Sequence, residues 1–197
     1  VVVVNPAVPA GSVRELIAIA RSRPGAYNYG AGALGSQSHL APELFKAMAG
    51  VDIVRVAYKG SGPGVTALLG NEVQLMIAPT ATVTAHVKAG RLRALAVTSA
   101  EPSALAPGLP TVASSGLPGY EAISMVTVFA PAKTPSAPIR RLNAELVRFL
   151  HTPDARERFL KTDVETVGSS PEALAAKMKS EMMKWGKLIK DAGIQED

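Results

Sequence analysis

The sequence predicts an α/β fold with a largely parallel sheet, arranged as a compact α/β unit followed by a helical segment that belongs to a second unit. Three observations predict it. Short apolar, β-branched runs alternate with segments of helical periodicity from Val1 to Thr98. Glycine and proline punctuate the joints between them. Near residues 125–130 the composition shifts, with charged residues sparse before and dense after.

The elements follow in order. Val1 to Asn5 is an apolar run closed by Pro6 and reads as a strand. Ser12 to Ser22 reads as a helix: Ser12 and Glu15 form a capping box, while Val13, Leu16, Ile17 and Ala20 share one face. Pro24-Gly25 ends it, and Ala26 to Tyr29 is a short strand. A glycine-rich loop leads to a helix from Gln37 to Ala49, with Leu40, Leu44, Ala47 and Met48 as its expected inner stripe and Gly50 as C-cap. Val51 to Tyr58 is a strand, Lys59 to Gly64 a second glycine-rich turn, and Val65 to Leu69 a short helix. Val73 to Ala78 is a strand, Thr80 to Ala89 a helix stopped by Gly90, and Leu92 to Thr98 a strand.

Ala100 to Gly119 is rich in small and turn-forming residues and reads as a surface connection, after which Glu121 to Ala130 reads as a long strand. Beyond Pro131 three helices are expected: Pro138 to Leu150, Asp154 to Lys161, and Pro171 to Ala192. Ser170 caps the last, with Leu174, Met178, Met182, Trp185 and Ile189 as its inner face. Lys177, Lys179, Lys184, Lys187 and Lys190 read as a solvated face.

The totals exclude several function classes. A chain of 197 residues with 47% hydrophobic and 19% charged content is that of a folded protein. Val1 to Val4 is too short for a secretory apolar region and follows no basic segment, so an export signal is expected upstream of residue 1 or not at all. With no cysteine there are no disulfides, thiolate zinc sites or cysteine nucleophiles. The net charge of +5 is scattered, with its densest cluster at Lys88, Arg91 and Arg93, and aromatics are only 5% of the chain. That pattern argues against a nucleic-acid partner and favours anionic ligands.

The richest stretch for chemistry runs from Asn28 to Leu40. A strand enters a glycine-rich loop that opens a helix, so backbone N–H groups and the helix dipole face whatever binds there. Ser36 and Ser38 add hydroxyls, and the arrangement suits a carboxylate or phosphate. Gly30, Gly32 and Gly35 match a dinucleotide fingerprint in spacing, but the acidic residue at the expected distance, Asp52, opens its strand instead of ending it. Tyr58 to Gly64 repeats the strand–turn–helix design, and Ala78-Pro79-Thr80 is a third strand exit. Ordinary strand-to-helix connections are the competing reading of each. Ser36 and His39, with Glu43 as the nearby acid, raise a hydrolase reading, although no nucleophile-elbow motif surrounds Ser36. His86 and His151 read as helix-end residues, and no cluster has metal-ligand spacing, so neither metal nor cofactor is expected.

Four stretches, in order, carry a family resemblance: NPAVPAGSVRELIAIARSRPGAYNYGAGALGSQSHLAPELFKAMAGVDIVRVAYKGSGPG, GNEVQLMIAPTATVTAHVKAGRLRALAVTS, LPTVASSGLPGYEA and APAKTPSAPIRRLNAEL with the helices after it. Together they resemble the Bug-type periplasmic solute-binding receptors of the tripartite tricarboxylate transporter family. The resemblance implies a periplasmic binding protein type II-like fold and a receptor, not an enzyme. Such a receptor captures a small organic acid (a di- or tricarboxylate or an aromatic carboxylate) and delivers it to membrane permease subunits. It implies that residues 1–125 form the ligand-binding α/β domain and 126–197 the C-terminal, mostly helical part of the other domain, whose usual N-terminal part is lacking. Helices left without that part expose apolar faces open to self-association. The resemblance carries ligand contacts onto Ala31, Gly32, Gly35, Ser36, Gln37 and Ser38, onto Tyr58 and Gly60, and onto Ala78, Pro79 and Thr80. Several family members have an acidic residue where Ala78 stands, so an amino-acid ligand is disfavoured. The ligand-sensing domain of a regulator with the same two-lobed architecture is the alternative.

Overall fold

The computed structural model describes residues 1–195. The chain divides into two compact units, one of Val1–Ile123 together with the chain from Leu188 onward, the other of Ser124–Lys187.

The first unit alternates strand and helix: β1 (Val2–Val4), α1 (Val13–Ser22), β2 (Asn28–Ala31), α2 (Gln37–Ala49), β3 (Val54–Ala57), α3 (Ser61–Leu69), β4 (Leu75–Ile77), α4 (Thr80–Lys88) and β5 (Arg93–Ala96). The strands form a five-stranded sheet in the order β3-β2-β4-β1-β5. β2 runs parallel to β3 and β4, whereas β1 is antiparallel to both β4 and β5. Four strands therefore share a direction and β1 alone opposes them, which corrects the largely parallel expectation in one strand.

Alternation along β1 and β4 sorts side chains to two covered faces. Val2, Leu75 and Ile77 meet Tyr29, Phe45 and Ile53 beneath α2. Val3, Met76 and Ala78 join Val65, Leu68 and Val83 from α3 and α4. α1 begins as its sequence dictates, with Ser12 Oγ accepting the Glu15 N–H at 3.2 Å and the Glu15 carboxylate accepting the Gly11 N–H at 2.6 Å. Buried Asn5 donates through Nδ2 to the Leu68 carbonyl (2.8 Å) and accepts the Ala7 N–H (2.9 Å), so its polar ends are satisfied. The connection after β5 runs over the surface but dips inward at Val112, Leu117 and Tyr120. Tyr120 packs edge-on against Phe45 and donates to the Ala41 carbonyl at 2.9 Å.

Two expectations need correction. The buried face of α2 is His39, Ala41, Pro42, Leu44, Phe45 and Ala49, while Met48 is exposed. Of the expected stripe only Leu44 is fully buried, because a polar residue, His39, takes an inward position. The long strand expected over 121–130 does not form; Ala122 donates to the Thr98 carbonyl, and no described strand pairs with the residues after it. Val126 (87% exposed) and Phe129 (67%) have the strand-like pattern without the neighbouring backbone that a ladder requires.

The second unit is helical: α5 (Ser136–Leu150), α6 (Pro153–Lys161) and most of α7 (Pro171–Asp191). Thr152 caps α6 by accepting the Ala155 N–H, and Ser170 caps α7 by accepting the Ala173 N–H. The better covered positions of α7 are Leu174, Met178, Glu181, Trp185 and Leu188, whereas Met182 (73% exposed) and Ile189 lie outside. The inner face is thus rotated from the apolar expectation, with a carboxylate at its centre. Glu181 is bridged by Lys177 (3.2 Å) and Lys184 (2.8 Å) and accepts the Trp185 indole N–H at 2.7 Å. Those two lysines are therefore ion-pair partners, not merely a solvated face. Among the described residues no helix is long and apolar enough to cross a membrane.

Candidate functional site

Parallel strands β3, β2 and β4 are neighbours, so their C-terminal ends come out side by side on one edge of the sheet. Each is followed by a helix that begins at that edge: α2 after β2, α3 after β3 and α4 after β4. Open α/β sheets bind ligands at such an edge, where helix N-termini converge. The N-cap residues there are Ser36, Gly60 and Pro79, and none makes a side-chain capping bond. Glycine and proline have no side-chain acceptor to offer, and the Ser36 hydroxyl turns to Ser38 Oγ at 3.1 Å. α1, elsewhere in the same unit, is capped by its serine.

The loop after β2 is held by its own hydroxyls. Ser38 Oγ accepts the Gly32 N–H at 2.9 Å. A Cβ on residue 32 would lie 2.8 Å from that oxygen, so the close approach requires glycine. Gln37 opens α2, and its Nε2 is sealed from solvent without a hydrogen-bond partner. Ala31 is buried at the end of β2, and Gly35 is exposed. Its N–H donates to His39 Nδ1 at 3.1 Å.

The second loop is tied to the first through Tyr58, whose N–H donates to the Ala31 carbonyl at 2.8 Å. Its ring packs against the apolar cluster beneath α3, and burial, with the Glu72 carboxylate adding to it, raises its phenol above the ordinary value. Gly60 adopts φ 104° and ψ −179°, a conformation open in practice only to glycine. At the third exit, Ala78 exchanges backbone bonds with Val1 (2.8 and 3.0 Å), and Pro79 and Thr80 begin α4. The Pro79 carbonyl accepts the Thr82 hydroxyl at 2.8 Å. The residues expected to touch ligand therefore lie along one edge of one unit.

Sequence reasoning missed Arg55. It is the β3 partner of Tyr29 in the register, and one terminal nitrogen reaches the Gly32 carbonyl at 3.4 Å. Its Nε is sealed from solvent with no hydrogen-bond partner. In a Val-Arg-Val alternation on an edge strand, an arginine reads as solvent-facing, and nothing in the spacing signals that it folds back over a glycine loop.

The Ser36–His39 pair does not assemble as nucleophile and base. His39 is buried, and its Nδ1 is occupied by the Gly35 N–H while Ser36 meets Ser38. Burial first, then the Arg55 charge, pulls His39 below its ordinary value, consistent with a neutral imidazole that accepts. Glu43 is engaged by the Tyr29 hydroxyl (2.5 Å) and by Lys46 (2.9 Å). Asp52 is exposed just before β3, its backbone carbonyl accepting the Gly25 N–H, so it does not reach this edge as a nucleotide-binding acid would. His86 and His151 are helix-end residues, contacting Arg91 and the Val167 carbonyl. Among the described residues no group of three or more acidic, histidine or cysteine side chains gathers to hold a metal.

Comparison with known proteins gives a consistent result. The chain is 35% identical to the protein BugT of Bordetella pertussis over 195 residues, 99% of this chain and 60% of BugT. It superposes on an R. palustris protein solved with adipate at a TM-score of 0.79 and 39% identity, covering 98% of this chain and 64% of that one. MatC from Rhodopseudomonas palustris, solved with bound malate, gives a TM-score of 0.68 at 25% identity, covering 95% and 65%. The chain thus spans less than two thirds of these relatives. Residues 1–194 match the model of the tripartite tricarboxylate transporter family receptor. By that match over nearly its whole length, the chain belongs to the tripartite tricarboxylate transporter receptor family.

Proposed function

We propose that the chain is part of an extracytoplasmic, periplasmic receptor that captures a small organic carboxylate and presents it to the membrane permease subunits of a tripartite transporter. On this reading residues 1–125 are the ligand-binding α/β domain and 126–197 the C-terminal part of the other domain. The ligand's carboxylate lies at the edge formed by Ala31, Gly32, Gly35, Ser36, Gln37 and Ser38, by Tyr58 and Gly60, and by Ala78, Pro79 and Thr80.

The observation that supports it most is the convergence of α2, α3 and α4 at one sheet edge with no side-chain cap on any of them. Each such N-terminus presents unsatisfied N–H groups and the positive end of a dipole, and three together favour an anion far more than one. The acids held by the two structural relatives, adipate and malate, are of the expected class. The apolar side chain at Ala78 offers no counter-charge to a ligand ammonium, which favours acids without an amino group.

Thermal unfolding of the full-length gene product with adipate, malate, citrate and benzoate tests the reading. An acid at a hundred times its Kd stabilises the folded state by roughly 2.7 kcal/mol. An upward shift with one class of acid is the expected result. A clean transition that no acid moves would count against the receptor reading.

A further inference from the structure

We propose that Arg55 contacts the ligand directly, its guanidinium pairing with a carboxylate of the bound acid beside the Gly32–Ser38 loop. This rests on the carboxylate-receptor reading and adds a residue and a charge requirement to it.

Arg55 has few partners of its own. Among the described residues its only hydrogen bond is a long one, 3.4 Å, to the Gly32 carbonyl, and its Nε is closed to solvent and unpartnered. Arg55 as a whole is half-exposed, but its Nε donor is closed off without a hydrogen bond, and an unmet buried donor is costly. The nearby carboxylate, Glu43, is taken by Tyr29 and Lys46. His39, which also feels the Arg55 charge, is held neutral and gives no compensation. At the start of α2 a second donor, Gln37 Nε2, is likewise closed off and unpartnered. The two flank the same loop: Arg55 reaches the Gly32 carbonyl, and Gln37 opens the helix that the loop enters. Unmet donors, one of them cationic, beside a loop that leads into an uncapped helix N-terminus, match the demands of a carboxylate, which accepts a bidentate guanidinium fork. Had Arg55 been kept to hold the loop, a short bond to a carbonyl or a partner carboxylate would be expected instead.

Isothermal titration of the full-length gene product with adipate, malate, citrate and benzoate, for wild type, Arg55→Gln and Arg55→Lys, tests this. Arg55→Gln is expected to weaken the wild-type acid about 10- to 100-fold, the range for a lost charge-assisted hydrogen bond. Arg55→Lys, keeping charge without the fork, falls between. The ligand-free Arg55→Gln variant is expected to melt near the wild-type temperature, because the half-exposed side chain gives up one long hydrogen bond only. Wild-type binding with unchanged affinity in Arg55→Gln would overturn the Arg55 contact and leave the receptor reading standing. A lowered melting temperature of ligand-free Arg55→Gln with intact affinity would assign Arg55 to the loop's structure instead. If wild type bound none of the acids, both this inference and the reading beneath it would fall.

Discussion

The two units bury their sequences in opposite ways. In the first, a sheet covered on both faces buries Val2, Val3, Leu16, Leu68, Leu75 and Met76 almost completely. In the second, α5 has no buried residue at all, and Leu142, Leu146 and Phe149 are exposed along it. α5 is nonetheless regularly helical and amphipathic, so its apolar face is made but not covered. The lesson is that local pattern is enough to form a helix, whereas covering its face needs a neighbour. Stability in the first unit rests on apolar packing; the second holds its small interior with a charge cluster around Glu181 and with exposed pairs such as Arg158–Asp154 and Lys161–Glu157, which contribute little each.

Core truncation should separate the units most sharply. Leu68→Ala or Leu75→Ala removes a fully buried side chain and is expected to cost about 2–5 kcal/mol, against about 0.5 kcal/mol or less for Leu142→Ala, by denaturant unfolding. Comparable losses at both positions would mean that the α5 face is covered in solution, by self-association or by another part of the protein. Light scattering of the same samples would tell those apart.

A smaller effect is expected at Tyr120→Phe, which removes the buried hydroxyl's bond to the Ala41 carbonyl inside the first unit and should lower stability by about 1 kcal/mol. Gly32→Ala is subtler. The new methyl displaces Ser38 Oγ from the Gly32 N–H, so stability should fall by about 1 kcal/mol while acid binding weakens more visibly. Equal acid affinity in Gly32→Ala would show that the loop's shape is not what the ligand reads.

The pH responses of the two units should also differ. His39 is depressed in the folded state, so the unfolded chain takes up the proton more readily. Its contribution is complete above the ordinary value of 6.5 and is lost as pH falls below it. His39→Gln should flatten that decline. Glu181 behaves differently. Burial pushes it up, but hydrogen bonds from Lys184, Lys177 and Trp185 outweigh burial and hold it below its ordinary value of 4.5. Its contribution is present above that value and fades in more acid solution. Melting curves of Glu181→Gln should lose the second decline and keep the first.

Much of the fold was legible from sequence because its elements are locally specified. The Ser12–Glu15 box, Gly50 after α2, Gly90 after α4 and Pro171 at the start of α7 each mark a helix end through backbone chemistry alone. The glycine-rich exits were equally readable, since only glycine meets their backbone demands. Inward-facing polar groups were not. His39 and Glu181 occupy buried positions because a backbone N–H, or two lysines and an indole, satisfy them, and hydrophobic periodicity has no signal for that. The missing strand over 121–130 failed for a related reason: strand formation depends on a partner that the segment's own residues do not specify. Arg55 escaped notice because its significance lies in partners it lacks, which no pattern displays.

The most direct test of the central claim is a backbone amide NMR titration of the full-length gene product with the acid that stabilises it most. The account predicts shifts concentrated at Gly32 and Ser36 to Ser38, with smaller ones at Tyr58 to Gly60 and at Thr80, and little change in α5 and α6. Saturable binding with shifts confined to residues away from this sheet edge would contradict it.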